Sequence, residues 1–173
     1  FYRRVTWRPM RPLATPHAPF DPAPLVLVPT PGHSPDHHAV WDPRTETLFG
    51  GDLFLGVKVR IAHHDEDPRA LAASLRAAAA LGPRRLFDAH RGLVARPVEA
   101  LAAKVAWLEE TVGAIDALLD RGWSDAAIRR AVLGGESLTG WFSSGEYSRL
   151  GFVRAVHRSR PGAGCGDGTA SVT

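Results

Sequence analysis

Three short segments of this 173-residue chain place a metal-capable side chain directly after an apolar run. They are Thr30-Pro31-Gly32-His33-Ser34-Pro35-Asp36-His37-His38, Leu48-Phe49-Gly50-Gly51-Asp52-Leu53-Phe54 and Leu86-Phe87-Asp88-Ala89-His90-Arg91-Gly92. In each, a strand would end and hand the chain to a loop, so His33, Asp52 and His90 are expected to converge at one sheet edge. Two neutral imidazoles and a carboxylate are donors that zinc, iron or manganese accepts, and an aspartate between two ions can bridge them.

Other residues near these segments have a chemical reading and a plainer one. Ser34 and His37 can orient His33 or touch a substrate; in the plainer reading Ser34 caps its turn and His37 is solvated. Lys58 and Arg60, soon after Asp52, can meet an anionic substrate or line a solvated strand edge. The tract His63-His64-Asp65-Glu66-Asp67 has a metal-like composition but reads better as a polar loop ending in a helix cap.

The elements that must position these side chains are legible in outline. Six prolines between Pro9 and Pro24 make residues 1–24 extended or loop-like. Residues 25–28 read as a buried strand ending at Pro29. Residues 39–41 and 47–49 flank an Asp42-Pro43 turn signal and predict a hairpin, whose second strand bends at Gly50-Gly51. Asp67-Pro68 opens a helix over residues 68–81, stopped by Gly82-Pro83, and Leu86-Phe87 is a short strand. Pro97 starts a longer helix to about residue 121, with Leu101, Val105, Leu108, Val112, Ile115 and Leu119 along one face. A short helix over residues 125–133 and a last one over 146–158 follow, and residues 160–173 are expected to be disordered.

The order and context of the His33, Asp52 and His90 segments resemble the last three motifs of the metallo-β-lactamase superfamily, over roughly residues 25 to 95. The resemblance implies an α/β fold, the second half of the superfamily's αβ/βα sandwich, with a helical C-terminal extension. It divides the chain into a partial metallo-hydrolase domain (1–95), that extension (96–159) and a tail (160–173). It further implies a two-metal centre, most simply of zinc, with His33 on one ion, His90 on the other and Asp52, the catalytic position, shared between them. The family's upstream His-x-His-x-Asp-His motif is absent, and the chain opens on Phe1. The expectation is therefore the C-terminal portion of a glyoxalase-II-like hydrolase of thioesters, esters or lactones, inactive alone. Two rivals are a non-catalytic partial product and a nucleic-acid-processing member of the same superfamily.

Composition narrows the partners. The formal charge is +3 and the pI about 9.6, but the basic residues, nearly all arginine, are scattered rather than gathered into a nucleic-acid footprint. A small-molecule substrate is the expected partner, and the sequence is compatible with a homo-oligomer. No apolar run reaches the roughly 18 residues that cross a bilayer. The single cysteine, Cys165, forms no internal disulfide, which fits a reducing, cytoplasmic setting.

Overall fold

The structure is a computed structural model that describes residues 25–63, 65–135 and 146–161. The proline-rich segment and nearly all of the expected tail lie outside the described residues, as does His64.

Five strands form one sheet in sequence order: β1 (Val26–Pro29), β2 (His38–Asp42), β3 (Thr47–Gly51), β4 (Arg85–Asp88) and β5 (Gly92–Val94). The first three make an antiparallel meander, and Asp42 closes its second turn by accepting the amides of Arg44 and Thr45. Strand β4 runs parallel to β3, which requires a crossover. Helix α1 (Pro68–Ala80) supplies it. Asp67 is its N-cap, accepting the amides of Arg69 and Ala70 at 2.9 and 3.1 Å, and Pro68 occupies the first turn, where no amide donor is needed.

Strand β5 was not expected. Gly92-Leu93-Val94 is too short to show alternation, and it pairs antiparallel with β4 after a tight turn. Pro29 also belongs to β1 rather than ending it, as an edge position tolerates a residue without an amide donor.

The antiparallel and parallel pairings together give β1, β3 and β4 the same direction. Their C-terminal ends therefore lie at one edge of the sheet, and the loops bearing His33, Asp52 and His90 leave from that edge.

Register assigns the two faces. Trp41, Leu48, Leu86 and Val94 form one row across β2 to β5; Leu48 and Leu86 are fully buried there against the helices. The neighbouring row, Leu27, Val40, Phe49, Phe87 and Leu93, crosses all five strands on the opposite face. Leu27 is 68% exposed and Leu93 61%, while Phe49 and Phe87 stack at 5.4 Å between ring centres. An apolar row of this length on an open sheet face is a surface that water covers at a cost.

Helix α2 (Pro97–Asp120) packs along α1 and buries Leu101, Val105, Leu108, Val112 and Ile115, the face its spacing predicted. A short helix α3 (Asp125–Ile128) continues as a π-helical turn (Arg129–Leu133), where a regular helix to residue 133 was expected. The last helix, α4 (Arg149–Arg158), starts three residues later than predicted. Ser148 caps it by accepting the Gly151 amide at 2.8 Å, and the Ser148 carbonyl takes the Ala62 amide, which holds the preceding backbone extended. Ile128, Leu133, Phe152, Val153 and Val156 share one buried cluster with Leu48 and Leu86, so the helices after residue 96 pack on the same core as the sheet. Among the described residues no helix is long and apolar enough to cross a membrane.

Candidate metal centre

The loop after β1 is fixed from both sides. The Asp67 amide donates to Gly32 O at 2.7 Å, and Ser74 Oγ donates to Pro31 O at 2.7 Å, so the start of α1 seats the Pro31-Gly32 turn. Gly32 has φ +134°, and a Cβ there would fall 2.4 Å from the Leu71 backbone. Only glycine fits. Across the loop, His37 Nδ1 lies 2.8 Å from the buried Thr30 Oγ1, and His37 Nε2 accepts the Asp52 amide at 3.2 Å. The imidazole thereby ties the His33 loop to the Asp52 loop.

Asp52 leaves β3 at a register shift between Phe49 and Gly51, where Gly51 adopts φ +55° and the Leu53 amide returns to Gly50 O. The next two carbonyls, Leu53 O and Phe54 O, accept from Lys104 Nζ on α2. Lys104 is only 1% exposed, and burial pulls its pKa down from 10.5 to about 8, against the attraction of Glu66 and Asp88.

His90 is placed by Asp88, which is 4% exposed. One Asp88 oxygen accepts the amides of His90 and Arg91, each at 2.9 Å, and the other accepts the Leu55 amide. A single carboxylate thus folds the β4–β5 turn and fastens it to the loop beyond Asp52.

The three side chains do converge. His33 Nε2 stands 3.6 Å from Asp52 Oδ2, and His90 Nε2 stands 3.2 Å from Asp52 Oδ1. Each carboxylate oxygen faces a different imidazole. Asp52 Oδ1 is buried and has no hydrogen-bond partner. On its far side His33 presents Nδ1 to Glu66 Oε1 at 3.6 Å. Burial lowers the His33 pKa below its usual 6.5, favouring the neutral ring that ligates metals, with Asp52 opposing the shift. Burial also raises Glu66 to about 7, while the His63 amide, which donates to it, pulls the other way.

Residues 15–90 match the metallo-beta-lactamase superfamily. The "Beta-lactamase-like protein 2 homolog" of Caenorhabditis elegans is 33% identical over 79 residues, covering 46% of this chain and 26% of that protein. A metallo-beta-lactamase family protein from Thermus thermophilus superposes with a TM-score of 0.56 at 20% identity, covering 76% of this chain and 42% of the other. The similarity to the metallo-beta-lactamase superfamily thus rests on residues 15–90 and on a shared fold. It spans about a quarter of the length of the curated relative it matches.

Superfamily members typically bind divalent metals, and the site can be tested for fit to them. An orphaned carboxylate oxygen beside an imidazole nitrogen has a bonding capacity that a cation would satisfy. Among the described residues, however, no three or more His, Cys, Asp or Glu side chains close on a single ion. The Asp52 carboxylate, with His33 beside one oxygen and His90 beside the other, offers an ion on either side two donors among the described residues. Two donors per ion are fewer than the three of an ordinary catalytic zinc site.

The remaining candidates separate clearly. Ser34 donates to Asp36 at 2.7 Å rather than to the His33 ring. Lys58 and Arg60 are exposed, while the alternate residues Val59 and Ile61 line a cleft of about 630 Å³ with His33, Asp52 and His90. Asp88 and Lys104 are not among the sequence candidates, and Glu66 enters there only as a member of the tract read as a polar loop. Asp88 carried a signal, because an aspartate two residues before the site histidine is the spacing of an Asx turn. Glu66 and Lys104 reach the site only through tertiary packing.

Proposed function

We propose that the chain forms one part of a longer glyoxalase-II-like hydrolase that cleaves a thioester, ester or lactone in a small molecule. The observation that carries this reading is the placement of one histidine against each oxygen of Asp52 at the mouth of the cleft. In this reading His33, His90 and Asp52 would hold divalent ions, zinc first among the choices, with a histidine on either side of the Asp52 carboxylate. Such a pair of ions, when bound, lowers the pKa of water and polarises the oxygen of the bond to be broken. Glu66 stands beside the far nitrogen of His33, 3.6 Å away. Asp88 and His37 set the two loops, and Leu55, Val59, Ile61 and Tyr147 exclude water from the substrate's apolar part. Tyr147, just before α4, lines the cleft, which supports reading the helical extension as one of its walls. The single cysteine fits a cytoplasmic setting.

Release of thiol or acid from a panel of thioesters, esters and lactones, with zinc or manganese added, tests the proposal. This chain alone should stay at the background rate, because the described residues offer each ion only two donors. The longer protein should turn over, and Asp52→Ala should lower its rate at least a thousandfold. Turnover by the longer protein that is indifferent to Asp52→Ala would remove Asp52 from the chemistry.

A further inference from the structure

One cation on the cleft rim is held in place without a carboxylate partner. Arg91 Nε donates to Leu55 O at 3.0 Å, and its guanidinium lies against Gly56, where a Cβ would fall 2.8 Å from it. Its own amide is bound by Asp88. Among the described residues no carboxylate stands within ion-pair distance of Arg91, whereas Arg69 pairs with Asp116 and Arg84 with Glu46. Pinning a guanidinium at Nε leaves its terminal nitrogens as a planar fork, which matches the two oxygens of a carboxylate.

Leu55, which holds that fork, is itself in a strained conformation. Its φ is +51°, in the left-handed region that a leucine occupies at about 1–2 kcal/mol above its ordinary state. Asp88 grips its amide and Arg91 its carbonyl, so the two ends of one residue are fastened by groups of the His90 turn. Residues held in such conformations by their surroundings cluster at active sites and ligand clamps. The cleft that Leu55 and Arg91 line continues through Val59 and Ile61 to His33 and Asp52.

We propose that Arg91 is the anion-recognising residue of this cleft, and that the ligand class is an apolar carboxylate lying along Leu55, Val59 and Ile61. This deepens the hydrolase reading by making its substrate an anionic acyl compound, and to that extent rests on it. The subsite itself depends on neither metal nor turnover. It is therefore tested in the metal-free protein, so that a negative result here and a failure of hydrolysis remain separate findings.

The experiment follows the Arg91 Nε–H and the methyl resonances of Leu55, Val59 and Ile61 during titration with hexanoate, hexanamide or inorganic phosphate. Hexanoate should shift all four groups and bind at least fivefold more tightly than hexanamide. Arg91→Gln should remove that preference and leave hexanamide binding unchanged, while Arg91→Lys, which keeps the charge but not the fork, should retain part of it. Equal affinity for the acid and the amide, a preference that survives in Arg91→Gln, or no saturable binding of hexanoate would overturn the proposal. So would phosphate binding as tightly as hexanoate without methyl shifts, which would mark a plain anion site.

Discussion

Asp88 carries more of the site's geometry than any residue that faces the cleft. Its carboxylate takes three backbone amides from two loops, and hydrogen bonds to a charged acceptor are each worth about 1.5–3 kcal/mol. Asp88→Ala should lower unfolding free energy by about 2–4 kcal/mol in urea titrations, since it leaves three partly buried amide donors without their charged acceptor. A loss under about 0.5 kcal/mol would mean the turn holds without it. Gly32 is the second such position. Its positive φ and the contact with Leu71 should make Gly32→Ala lower stability by about 2 kcal/mol or more, and calorimetry would show it as a depressed Tm. At this scale the sequence was informative wherever chemistry is local: His33, Asp52 and His90 stood beside strand ends and glycines. Lys104 is not legible, because its partners lie far away in the chain, and Glu66 shows only as one member of a polar tract.

Among the elements, α2 shows how a helix can reach into a site it does not border in sequence. Its apolar stripe was readable from spacing, but Lys104 falls within the buried face, where a charge is unexpected. The folded state holds Lys104 at a pKa of about 8, below the 10.5 of the unfolded chain. Between those values the unfolded state binds more protons, so stability rises with pH. Over the whole window this contribution is on the order of 3 kcal/mol. Denaturant titrations at pH 7.5 and pH 10 should show that rise in the native sequence and a smaller one in Lys104→Met. An identical pH dependence in both would show that Lys104 is not held in this environment. Helix boundaries at caps were legible to within a residue, as at Asp67-Pro68. The start of α4 was not, because the Ala62–Ser148 bridge that delays it is a long-range pairing.

At the scale of the whole molecule, the helices among the described residues share a core with one face of the sheet, and among those residues the row from Leu27 to Leu93 is left open on the other. Such a face drives association. Sedimentation of the chain should show self-association that Phe49→Ser with Phe87→Ser reduces; sedimentation unchanged by the two substitutions would mean that the row is not the contact surface. The same topology explains why three segments far apart in sequence meet, since β1, β3 and β4 end at one edge. The central claim is that Asp52 stands between two ions, and zinc titration of the metal-free protein, followed on the His33 and His90 imidazole resonances, tests it most directly. Both rings should respond to zinc, His33→Ala and His90→Ala should each leave the other ring's response in place, and Asp52→Ala should weaken both at least tenfold. If Asp52→Ala weakens one response alone, or neither, the aspartate does not bridge.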